Sequence, residues 1–334
     1  MRRREFLWLL CYGVAASRPC VVLAQQATKV YRIAIVNSVE PVSEINESNW
    51  FYRPFFEELR RLGYVEGQNL VVERYFAGEL SRGQQYSEVI SNVVRSNPDV
   101  IFTAIVNLLL ALKAQTTTIP IVTAVYDPVS WGFAESLAHP GGNITGTAVL
   151  IETWGKRLGL LKEAIPKLSR VGLLVPPTLV GQRGTAILKE ASEKAGVSLV
   201  LAPLDSPYDE TVYRRAFAAM VQEGVEAVYV GEQVENWANR RLIVELAERH
   251  GLPAIYFYRE FVDIGGLMAY EPDVADYFGH AADAVVQILK GTKPGDIPFY
   301  VVRKFNFVIN MKTAKALNLD IPPTLLAQAD EVIE

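Results

Sequence analysis

The chain has 334 residues, half of them hydrophobic, with a formal net charge of −4. That length suits one large or two medium domains, because single cores stop growing at about 250–300 residues. Its 33 Lys and Arg residues form no basic block and no basic–aromatic face, which excludes nucleic acid as an expected partner.

The first 26 residues have the make-up of a signal peptide. A basic start, Arg2 to Arg4, leads into an apolar run from Phe6 to Ala16. This run is too short to cross about 30 Å of hydrocarbon as a helix. Val22-Leu23-Ala24 then resembles a small-residue cleavage site. Arg3-Arg4-Glu5-Phe6-Leu7 resembles the twin-arginine export motif, and general secretory export and a retained anchor stay open as alternatives. Both cysteines, Cys11 and Cys20, fall in this segment, so the mature chain is expected to carry no disulfide, no thiolate nucleophile and no Cys-bound metal. The expected location is the periplasm, and no cofactor is expected.

Beyond residue 28, strand-like and helix-like runs alternate. A strand at Val30–Val36 is followed by "YRPFFEELRRLG", which places Tyr52, Phe55, Phe56 and Leu59 on one helical face. Pro54 falls in the first turn of that helix and Gly63 at its end. Leu70–Arg74 reads as a strand, Tyr86 to Val94 as an amphipathic helix and Val100–Ala104 as a strand. Asn107 is placed to cap a helix from Leu108, and Ile121–Val125 is a strand ending at Tyr126-Asp127-Pro128. After the turn "HPGGNITG" the rhythm restarts. Trp154, Leu158 and Leu161 mark a helix, and strands follow at Val171–Val175, Val197–Ala202, Val225–Val230, Ala254–Tyr258 and Gly266–Tyr270, with helices between them. A last helix carries Val274, Phe278, Ala282, Val285 and Leu289 inward. Such alternation predicts parallel sheets covered on both faces, here in two lobes.

Ligands of open α/β sheets collect beyond the carboxyl ends of the strands. The candidate binding residues are therefore Asn37, Ser38 and Asn107, then Tyr126 and Asp127, in the first series. In the second they are Glu232 and Gln233, Tyr258 and Glu260, and Tyr270. The tyrosines could stack on a planar ligand. Glu232 could meet an ammonium group, and loops leading into helices offer free N–H groups to a carboxylate. Several of these side chains also have plain structural readings. Asp127 before Pro128 fits a helix cap, Asn37 and Ser38 fit a turn, Trp131 fits packing beneath the next helix as well as the cleft lining, and Arg259 could pair with Glu260.

Four long stretches carry a family likeness: "GYVEGQNLVVE", "TTTIPIVTAVYDPVSWGFAESLAHPGGNITG", "LPAIYFYREFVDIGGLMAY" and "NFVINMKTAKALNLDIPPTLLAQADEVIE". From about residue 30 to the end the chain resembles the ABC-transporter substrate-binding proteins of the tryptophan/tyrosine type. The likeness implies a type I periplasmic binding protein fold of class α/β, with two Rossmann-like lobes joined by three crossover segments. It assigns residues 28–146 plus about 274–300 to lobe 1, and 147–273 plus about 305–334 to lobe 2. The implied function is capture of an amino acid or aromatic acid between the lobes by a monomer, which delivers it to an inner-membrane ABC permease. "IVNLLL" at residues 105–110 departs from the small residues relatives carry after the third strand.

Closure requires the ligand to touch both lobes, since only differential affinity shifts a population. The hinge candidates are Thr145–Val149, Tyr270–Asp273 and Tyr300–Lys304. Two rival readings stay open: a periplasmic sensor subunit, which shares these features and signals to a kinase, and a carboxylate hydrolase. The three histidines, His139, His250 and His280, read as structural, and no nucleophile elbow, P-loop, dinucleotide fingerprint or zinc spacing occurs.

Overall fold

The structure, a computed structural model, describes residues 29–78, 83–176, 183–202 and 204–334. The signal-peptide reading lies outside the described residues. Strands and helices alternate through the first lobe. They run β1 (Tyr31–Asn37), α1 (Arg53–Arg61), β2 (Leu70–Phe76), α2 (Gly83–Ser96), β3 (Val100–Thr103), α3 (Val106–Gln115), β4 (Ile121–Tyr126) and β5 (Ile144–Val149). The second lobe follows with α4 (Thr153–Ala164), β6 (Arg170–Leu174), α5 (Arg183–Lys194), β7 (Ser198–Leu201), α6 (Glu210–Gln222) and β8 (Ala227–Val230). It continues with α7 (Val234–Ala238), α8 (Arg240–Arg249), β9 (Ala254–Tyr256), α9 (Arg259–Asp263) and β10 (Met268–Pro272). The chain then returns to the first lobe as α10 (Val274–Leu289) and β11 (Tyr300–Val301). It ends in the second with β12 (Phe305–Asn310), α11 (Met311–Ala316), α12 (Pro323–Leu326) and β13 (Glu331–Ile333).

Six strands in the order β11-β5-β4-β3-β1-β2 form the first sheet, and seven in the order β13-β12-β10-β9-β8-β6-β7 form the second. The central strands β3, β4 and β8 are near-continuous apolar runs because helices cover both faces of each sheet. All pairings are parallel except that of β10 with β12. The exception follows from the chain path. β12 enters its sheet beside the end of β10, with Phe305 opposite Pro272, and so must run the other way.

Three segments pass between the sheets: residues 150–152 after β5, Asp273 after β10 and residues 302–304 after β11. They are tied together. Asp273 N donates to Lys304 O at 2.9 Å, while the Asp276 carboxylate accepts from Tyr300 Oη at 2.9 Å and from Arg303 N at 3.1 Å. Gly146 in β5 has φ +142°, and a Cβ there would lie 1.9 Å from Thr123 O, so only glycine lets β5 lie this close to β4.

α10 anchors the first core. Phe278 is fully buried and packs edge-on against Phe51 at 4.3 Å and Phe102 at 5.8 Å, while Phe102 stacks on Phe55 at 4.4 Å. α1 begins with Pro54 in its first turn, where the missing N–H costs nothing, and Gly63 follows at φ +90°.

Candidate functional site

A cavity of about 240 Å³ opens beyond the carboxyl ends of both sheets. From the first lobe it is lined by Asn37 at the end of β1, by Val106 and Asn107 opening α3, by Tyr126 closing β4, and by the stretch Trp50-Phe51-Tyr52 before α1. The second lobe contributes Trp154 of α4, Glu232 and Gln233 after β8, Glu235 and Trp237 of α7, and Phe257 and Tyr258 after β9. All four tryptophans beyond residue 28, namely Trp50, Trp131, Trp154 and Trp237, border this space. The lobes meet through rings, Trp50 with Trp237 at 6.5 Å and Tyr126 with Phe257 at 5.5 Å.

The polar groups are few and differ in character. Arg157, on α4, is 1% exposed and sits behind the wall. Its guanidinium lies 4.6 Å from the Tyr229 ring and 5.2 Å from the Phe257 ring. One of its terminal nitrogens donates to Glu232 Oε2 at 3.0 Å and the other to Val230 O at 3.4 Å. Trp154 Nε1 donates to the other Glu232 oxygen at 3.1 Å. Glu232 is therefore charge-balanced and doubly held, a position set by α4 rather than by its own loop. Glu235 differs: it is 8% exposed, it borders the cavity, and no ion pair holds its carboxylate among the described residues. Burial raises its pKa. The Tyr126 hydroxyl and Gln233 Oε1 are buried without a hydrogen-bond partner, and burial keeps the Tyr126 phenol protonated.

Of the sequence-predicted residues, Asn37, Asn107, Tyr126, Glu232, Gln233 and Tyr258 line the cavity, and Ser38, Asp127, Glu260 and Tyr270 do not. Asn37 also closes a turn, its Oδ1 accepting from Val39 N at 2.9 Å. Ser38 is buried beside it, off the cavity wall. Asn107 is not a cap, because α3 starts one residue before it and Ile105 holds the N-cap position. Asp127 has φ +40° and closes the 128–132 turn through Ser130, whose N lies 3.4 Å from Oδ1 and whose hydroxyl donates to Oδ2; no helix begins there. Tyr270 lies flat on Phe305 at 5.1 Å as part of the second lobe. Glu260 lies off the wall near the buried Glu271, and burial lifts their pKa values to about 7 and about 8. Arg259 pairs with Asp263 and Glu331 instead of Glu260, and Trp131 both stacks near Phe133 and lines the cavity.

Sequence reasoning missed Trp50, Trp154, Arg157, Glu235, Trp237 and Phe257. Two carried a legible signal. Arg157 falls on the apolar stripe of Trp154, Leu158 and Leu161, where a charge must find a partner or leave water at a cost. Trp50-Phe51-Tyr52 puts three consecutive aromatics where a helix face could take only some of them.

Two parallel-sheet α/β lobes with an aromatic-walled cavity at their strand ends define a two-lobed solute-binding protein of the type I periplasmic kind. The ABC transporter substrate binding protein family matches residues 35–333, and the chain belongs to it. It is 25% identical over 267 residues to a tyrosine-binding protein of Clostridioides difficile, covering 79% of this chain and 75% of that one. A conserved domain protein from Vibrio cholerae superposes with a TM-score of 0.80 at 25% identity, over 91% of this chain and all of that one. An ABC domain in complex with L-Trp from Streptococcus pneumoniae superposes with a TM-score of 0.77 at 22% identity, over the same shares.

Proposed function

We propose that the chain is the exported receptor of an ABC importer, which encloses a small aromatic solute between its lobes and delivers it to a membrane permease. The observation that carries this reading is the cavity wall, where tryptophans from both lobes face one space of about 240 Å³. A planar ligand there touches both lobes at once, which is the condition for favouring closure. The tyrosine-binding relative and the L-Trp complex support an aromatic amino acid as one such ligand. Residues 1–26 act as a cleaved signal peptide that brings the protein to the periplasm. Lobe 1 comprises 28–146 with about 274–300, and lobe 2 comprises 147–273 with about 305–334. The protein works as a monomer and as a carrier, without chemistry on its ligand.

The test is a fluorescence titration of the exported chain with aromatic amino acids and aromatic acids. All four remaining tryptophans border the site, so saturable binding changes their emission. Absence of any spectral or thermal response across the panel would remove the proposal. Mass spectrometry of the exported product should show loss of the first 26 residues; an intact N-terminus contradicts the signal-peptide assignment.

A further inference from the structure

The charges around the cavity are one-sided. Its described lining holds three carboxylates, Glu40, Glu232 and Glu235, and no lysine, arginine or histidine. Two described cations touch lining residues from outside the lining: Arg240, over the Trp237 ring at 4.6 Å with one nitrogen given to Trp237 O, and Arg157. Arg157 is 1% exposed and shut between two rings, with its terminal nitrogens on Glu232 and the Val230 carbonyl and its Nε buried without a partner. Glu235 differs: it is more than nine-tenths buried, it is on the wall, and its carboxylate is held by its own backbone N–H and by no cation among the described residues. Gln233 Oε1 is a further buried acceptor on the same wall, and it has no donor. A buried carboxylate that lacks a cation is costly, and a ligand that brings the missing cation offsets that cost.

We infer that the ligand is an aromatic cation, an arylalkyl amine whose ring lies among the cavity tryptophans and whose ammonium pairs with Glu235, and that a carboxylate on the ligand is not required. This rests on the receptor reading above and narrows its ligand class. An ammonium group has three donors and no acceptor, which matches a carboxylate and an amide oxygen on one wall. The surrounding rings suit a cation as well, since aromatic faces attract positive charge. A ligand carboxylate would face Glu40 and Glu235, with Glu232 already balanced by Arg157 and neutral donors such as the free N–H groups of the α3 first turn to hold it.

The experiment is calorimetry on the exported chain with three matched series: tyramine and tryptamine, L-tyrosine and L-tryptophan, and 4-hydroxyphenylacetate and indole-3-acetate. The amines are expected to bind at least as tightly as the corresponding amino acids, and the acids at least about 100-fold more weakly. Glu235→Gln is expected to weaken tyramine at least about 10-fold more than it weakens tyrosol, its neutral alcohol analogue. Retained tyrosol binding also shows that the variant is folded. An acid that binds as tightly as its amine, an amino acid more than tenfold tighter than its amine, or tyramine binding indifferent to Glu235→Gln overturns the inference but leaves the aromatic receptor standing. Silence from the whole panel overturns both.

Discussion

Replacing Arg157 with methionine keeps an unbranched apolar stem and deletes the guanidinium. The side chain is 1% exposed and its partner Glu232 is 12% exposed, so little water can reach the carboxylate that is left behind. Removing one partner of a buried pair costs about 3–5 kcal/mol. The cation's contacts with the Tyr229 and Phe257 rings add about 0.5–2 kcal/mol, part of which the polarisable methionine sulfur returns. The expected loss is therefore about 3–6 kcal/mol. In urea unfolding it appears as a lower midpoint at unchanged slope, because the surface exposed on unfolding is the same. Adding Glu232→Gln removes the stranded charge, and the double variant should recover about 1.5 kcal/mol or more relative to additivity. An Arg157→Met protein within about 1 kcal/mol of the parent, or an additive double variant, would show that Glu232 is solvated and that the pair does not organise the wall. The same reasoning makes Glu232→Ala a poor probe of ligand contact, since it strands the Arg157 cation.

Three other expectations follow from the packing and the buried acids. Phe278→Ala should cost about 3–5 kcal/mol, seen as a lower unfolding midpoint, because it opens a hole where α10 meets Phe51 and Phe102; a cost under 1 kcal/mol would mean that the first core closes around it. Tyr126→Phe removes a buried hydroxyl that has no partner, so the ligand-free melting temperature should hold or rise slightly; a fall of several degrees would reveal a hydrogen bond made in solution. Glu260 and Glu271 have folded pKa values raised by burial to about 7 and about 8, against ordinary values near 4.3, so the folded state holds more protons than the unfolded one between those limits. Their contribution to stability is complete at acidic pH and is lost as pH rises through 7 to 8. Melting curves should show this decline, and Glu271→Gln should flatten it; an identical slope in the variant places the titration elsewhere.

The alternation of elements was legible because buried parallel strands must be apolar on both faces, and Ile121–Val125 and Ala227–Val230 could hardly be anything else. The strand-end rule placed Asn37, Tyr126, Glu232 and Tyr258 on the cavity wall because the parallel register puts those positions at one rim. Tyr270 and Asp127 lie off that wall. β10 is covered by the antiparallel β12, whose Phe305 takes the Tyr270 ring, and a left-handed residue at 127 turns the carboxylate into its own loop. Neither the direction of a late strand nor the sign of a φ angle is written in local periodicity. The lining from α4 and α7 was hidden for a further reason: Trp154 and Trp237 reach the cavity from helices, and on an isolated helix an inward tryptophan reads as core.

The central claim is that one small molecule sits between two lobes and holds them together. Small-angle X-ray scattering on the protein, with and without a ligand shown by calorimetry to saturate it, tests this most directly. The account predicts a smaller radius of gyration in the saturated sample, and identical curves at proven saturation would contradict it.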